Sequence, residues 1–251
     1  MKPGSLLRSA AILGAGYAVA AGFFWAFLNV PESNVFALLL SATLAALVIL
    51  AAGITTALAS ALSPQAPVRA ALRGTACALP GFVGGLAVFA ILWWLTASAD
   101  AWWRAHLGEI DATLLRYLGA TSTGWVHQTA HWTLWLARWV IGLSVIAALV
   151  TALSRSRGVV SGLRASVRLA PVAAMTLAVV AVGEGLWRLA YWRPRGLPPN
   201  QAEAVFAATK LALLYAATMV IAALVLEMYR RAAADAAATA PPATTSPPQP
   251  G

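Results

Sequence analysis

Residues 125–153 read WVHQTAHWTLWLARWVIGLSVIAALVTAL. The second half, from Val140 onward, is a nearly unbroken apolar run. The first half gathers Trp125, Trp132, Trp135 and Trp139 beside His127, His131 and Arg138. A helix that crosses a membrane needs ~20 mainly apolar residues. Tryptophan collects at headgroup level, because its ring is apolar and its N–H wants a wet partner. The stretch therefore reads as a span with one aromatic end, and that reading extends to the whole chain.

Five more runs of this kind lie outside it. The spans fall at about 9–30, 35–61, 74–97, 125–153, 169–192 and 203–229, which predicts an all-α, polytopic six-transmembrane-helix bundle. The chain has 251 residues, of which 61% are hydrophobic and 10% charged. An ordinary soluble domain has roughly 25% charged residues. With six spans, the eleven tryptophans fall at one set of span ends or in the loops joining them. The first run resembles a signal peptide, with Lys2 and Arg8 ahead of an apolar stretch. It continues through Phe23, Phe24, Trp25, Phe27 and Leu28, too far for a cleaved h-region, so it is expected to be a retained span. Gly14, Ala18 and Gly22 recur along it every four residues and predict a close helix approach.

Orientation follows from the basic residues. Lys2, Arg8, Arg69, Arg73, Arg155, Arg157, Arg164, Arg168, Arg230 and Arg231 lie on one side. Arg104, Arg116, Arg193 and Arg195 lie on the other, together with Glu32, Asp100, Glu109, Asp111 and Glu203. The positive-inside rule places both termini in the cytoplasm of a bacterial-type inner membrane, with the tryptophan side outward. The net charge of +9 is thus the signature of orientation in a lipid bilayer, and nucleic acid is not expected as a partner. The single Cys77 excludes an internal disulfide.

Between the spans, residues 101–118 predict an external interfacial helix. Trp103, Leu107, Ile110, Leu114 and Leu118 repeat at helical spacing, Asp100 is placed to cap it and Gly119 to end it. The loop 154–168, with four arginines around Val159, Val160 and Leu163, is expected to anchor topology near anionic lipid or to meet a cytoplasmic partner or another membrane subunit. Pro80-Gly81 with Gly84 and Gly85 should kink or loosen the third span. Residues 232–251, rich in Ala, Pro and Thr without apolar periodicity, are expected to be disordered.

Catalytic signatures are missing: there is no HExxH, no GxSxG and no GxxxxGK[ST]. Glu184-Gly-Leu-Trp-Arg188 is similar to half of the EExxxR motif of intramembrane CAAX-type proteases. Gly183 stands where the second Glu belongs and no histidine follows, so the catalytic pair is not there. No cofactor is implied. His127 and His131, four apart, share a helix face and form a possible metal pair, with His106 as a third ligand. Arg138, Glu184 and Lys210 fall at one depth, roughly 10 Å below the outer boundary at ~1.5 Å per residue. Arg188 lies one turn nearer the surface. A charge at that depth needs a partner, so Glu184 is expected to bridge Lys210, Arg138 or both. Two functions follow: a non-catalytic, permease-like or scaffolding subunit of a membrane assembly, or an ion- or proton-coupled transporter using that cluster. An intramembrane enzyme is a third.

Overall fold

The computed structural model describes residues 3–31, 34–62, 68–118, 123–192 and 201–239. Among them the chain is helical, with no strand. The helices are α1 Pro3–Leu28, α2 Val35–Ala61, α3 Val68–Ala105, α4 Leu107–Leu118, α5 Gly124–Leu136, α6 Gly142–Leu153, α7 Val159–Ser166, α8 Leu169–Val180, α9 Trp187–Tyr191 and α10 Gln201–Ala238. Two π-helical turns, Ala137–Ile141 and Ala181–Leu186, join α5 to α6 and α8 to α9 without a break in the helical chain.

Five stretches are long and apolar enough to cross a membrane: Gly4–Leu28, Val35–Ala61, Arg69–Ala105, Gly124–Leu153 and Ala204–Ala238. α7 and Leu169–Gly185 together give a sixth, if a pair bent by 64° counts as one. Large apolar side chains stand exposed along their flanks, among them Phe36, Leu38, Leu39, Trp94, Leu211 and Leu213. That surface is far larger than a soluble monomer exposes.

α6 is the axis of the bundle. Every residue from Ser144 to Ala152 is buried, with α3, α10, α7 and α8 packed around it and α1 and α2 completing the far side. α3 runs antiparallel to the stretch from α5 through α6, and small residues set their separation. A Cβ on Gly85 would lie 2.9 Å from the Ile146 Cα, and one on Gly81 would lie 3.3 Å from the Leu149 carbonyl oxygen. Gly81 and Gly85 thus serve close packing, which only residues without a side chain permit. Gly84 faces open space. On α1 the close approach falls at Gly16, against Thr55, while Gly22 meets nothing within 4 Å. The expected four-residue stripe is therefore only partly used.

Local capping explains several boundaries. Asn34 Oδ1 accepts from the Ala37 N–H at 2.9 Å and opens α2. α6 ends where Arg157 N donates to the Ala152 carbonyl and Ser156 N to that of Leu153, both at 3.0 Å, with Ser156 at φ 56°. This is a Schellman end with a serine where glycine is usual.

Two boundaries depart from the sequence expectation. α3 continues to Ala105, because 98–105 is Ala-rich and holds no breaker. Asp100 therefore lies inside α3 instead of capping the next helix, and the break falls at His106, just ahead of Gly108. There the imidazole Nδ1 lies 2.8 Å from the Trp102 carbonyl oxygen. At the other end, α10 runs on to Ala238. Ala232, Ala233 and Ala236 are buried, so 232–238 is a docked helix rather than a disordered tail. The remainder, 240–251, lies outside the described residues.

Candidate functional site

A polar column runs down the contact between α3 and α5 at the tryptophan-rich end. Trp93, Thr96, Asp100 and Trp103 recur at three- and four-residue steps on α3, so they share a face. Opposite them stand Arg138, His131 and His127. The Trp103 indole N–H donates to His127 Nδ1 at 2.9 Å, and His127 Nε2 lies 2.6 Å from Asp111 Oδ1. An indole only donates. Nδ1 must therefore accept, and the imidazole hydrogen sits on Nε2, donated to Asp111. This chain ties α4 to α3 and α5. Hydrogen bonds from Thr123 and then His127 hold the Asp111 carboxyl below the usual carboxylate value.

One step further in, Asp100 pairs with Arg104 and lies 3.9 Å from His131 Nδ1. Asp100, Trp103, Arg104, Leu107, His127 and His131 border a cavity of ≈190 Å³. Deeper still, Arg138 Nε donates to Thr96 Oγ1 at 2.8 Å, and its guanidinium lies 4.3 Å from the Trp93 ring centroid. Trp93 meets Trp139 edge-on at 5.8 Å, and Phe89 stacks obliquely on both. Below this aromatic plug the contact is the glycine-set packing of α3 on α6.

His127 and His131 do line one cavity. Both His127 nitrogens are engaged, however, and the described residues hold no group of three or more His, Cys, Asp or Glu placed for a metal ion. His106 turns away and stacks on Trp102 at 4.6 Å.

The three charges expected to meet at one depth are divided. Glu184 is held by Arg188 at 3.1 Å, one turn along its own helix. Lys210 Nζ donates to the Trp192 carbonyl at 2.9 Å and lies 5.5 Å from the Phe206 centroid. Arg138 turns to Thr96 and Trp93. Arg138 and Glu184 nevertheless share a local feature: each sits inside a π-helical turn. The turns belong to neighbouring helices, since a Cβ on Gly183 would lie 2.7 Å from the Trp135 ring.

Two polar contacts had no sequence signal beyond residue type. Buried Tyr229 donates to Ser144 Oγ at 2.6 Å, joining α10 to α6. Tyr17 and Thr56 pair at 3.0 Å between α1 and α2.

No family model matches the chain, and the searches of curated proteins and of solved structures return no similar protein.

Proposed function

We propose that the chain is a multi-pass protein of a bacterial-type inner membrane with both termini cytoplasmic. In this reading it works there as a non-catalytic, permease-like or scaffolding subunit of a membrane assembly. The pairing of polar groups along the bundle carries the reading. Arg138 is matched to Thr96, His127 to Asp111, Asp100 to Arg104, Glu184 to Arg188 and Tyr229 to Ser144. Catalysis at a bundle core would need a nucleophile beside a base, or a carboxylate set for a metal, and these pairs offer neither. The exposed apolar flanks and the tryptophan-rich end support the membrane placement. The excess of Lys and Arg at the opposite end supports the orientation.

The test is isolation of the full chain in mild detergent at native expression levels. A second subunit present at fixed stoichiometry, and lost on harsher solubilisation, is the expected result. A monodisperse single chain that moves protons or an ion after reconstitution would overturn it.

One observation favours a second reading, a proton- or ion-coupled transporter. The cavity bordered by Asp100, His127 and His131 opens above Arg138, an arrangement suited to admitting an ion or a proton. Asp100→Asn separates the two readings. A transporter using this cavity loses transport, whereas a scaffold loses at most some stability.

A further inference from the structure

The opposite end of the bundle holds charges that do not balance. Arg155 and Arg157 flank Ser156 in the turn after α6, and Arg230 and Arg231 lie on α10. Arg157 donates to the Arg230 carbonyl oxygen at 3.0 Å. Arg230 pairs with Glu227 and donates to the Leu62 carbonyl oxygen at 3.4 Å, and Arg231 meets the same Glu227 at 3.1 Å. Glu227 is thus shared between two arginines and is the one carboxylate among these five side chains. Arg155 is the residue left over. Its Nε is buried without a hydrogen-bond partner, and its guanidinium makes no hydrogen bond or ion pair with any described residue. Burial, and then the nearby charges of Arg230 and Arg157, push its pKa down.

Two features show that this arrangement is held rather than incidental. Ser156 sits at φ 56°, a left-handed conformation that is unfavourable for a non-glycine residue, and it fixes Arg155 and Arg157 on either side of one turn. The adjoining α7 buries only Ser161, Gly162 and Ala165. Its apolar residues Val159, Val160 and Leu163 stay exposed beside the cluster. A half-buried guanidinium whose Nε has no partner is costly to hold charged, and phosphate oxygens match its donors in geometry and charge.

We propose that Arg155, Arg157 and Arg230, brought together by the α6–α7 turn and α10, bind a phosphate-type anion, either the headgroup of an anionic phospholipid or free phosphate. The exposed valines and leucine of α7 are placed to lie against acyl chains when the source is lipid.

The experiment uses the purified full chain in neutral phosphatidylcholine mixed micelles and reads its melting temperature. Phosphatidylglycerol or inorganic phosphate is added at constant ionic strength. For the wild type and Arg8→Gln, whose change lies on exposed α1 surface, at least one anion should raise the melting temperature. That rise should be lost in Arg155→Gln and at least halved in Arg157→Gln. A rise with phosphatidylglycerol alone identifies lipid as the source, and an equal rise with inorganic phosphate identifies the free anion. In phosphatidylcholine alone, Arg155→Gln should melt no lower than wild type, because it removes a half-buried charge set beside those of Arg230 and Arg157. Equal shifts in wild type and Arg155→Gln, or no shift with either anion, would overturn the proposal. Should Arg155→Gln not fold, the same readings on Arg157→Gln decide it: an undiminished shift there is equally contrary.

Discussion

Arg138 meets Thr96 across the contact between α3 and the π-helical turn that follows α5, Nε to Oγ1 at 2.8 Å, with the Trp93 ring beneath the guanidinium at 4.3 Å. A hydroxyl and an aromatic face thus supply what a carboxylate was expected to provide. Thr96 also donates to the Leu92 carbonyl oxygen at 2.7 Å, so its hydrogen is committed to the backbone and its lone pair is free for Arg138. Thr96→Val keeps the shape and removes the acceptor. It should cost about 1–3 kcal/mol, seen as a lower melting temperature in detergent, whereas Thr96→Ser should lose much less.

The α3–α6 contact makes a sharper comparison between neighbouring glycines. Gly85→Ala would place its Cβ 2.8 Å from Ile146 Cγ1 and 2.9 Å from the Ile146 Cα. Backbone cannot yield as a side chain does, so the two helices must separate, at a cost of about 1–3 kcal/mol typical of overpacking. Gly84→Ala meets nothing within 4 Å and should be neutral or stabilising by up to about 1 kcal/mol through helix propensity. Equal melting temperatures for the two variants would rule out the glycine-set contact.

Acidification should release α4. The Asp111 carboxyl titrates below its ordinary value of 3.8, because Thr123 and His127 donate to the ionised form. A depressed folded value means that the contribution is fully present above the unfolded value and lost as pH falls through the folded one. The melting-temperature gap between wild type and Asp111→Asn should therefore close as pH falls below about pH 4. A gap that stays open below about pH 4 would show that the ionised Asp111 carboxylate is not what holds α4.

Much of this architecture is legible in the sequence, and the departures have physical causes. Apolar run length locates the long helices, and tryptophan placement separates the two ends. His127 and His131 were expected on one face, and they do line one cavity. The expected meeting of Arg138, Glu184 and Lys210 fails because it rests on depth, which does not fix the direction in which a side chain faces, and the π-turn at Ala181–Leu186 shifts the angular position of Glu184. Depth alone could therefore align Arg138, Glu184 and Lys210 without bringing them together. The α3 boundary misleads for a different reason. Asp100 has the chemistry of a helix cap, but with no breaker before it the helix continues, and Asp100 pairs with Arg104 instead. Likewise, alanine-rich 232–238 carries little apolar periodicity, yet its small side chains let α10 dock closely.

Placement of the two ends on opposite sides of a membrane is tested by thiol labelling in intact cells. Cys77, which is exposed, is first replaced by Ala, and single cysteines are then introduced as Arg116→Cys on α4 and Arg164→Cys on α7. Both positions are exposed. A membrane-impermeant maleimide should label position 116 in intact cells and position 164 only after permeabilisation. Labelling of 164 with 116 protected would reverse the orientation, and equal labelling of both without permeabilisation would contradict a bundle that separates two compartments.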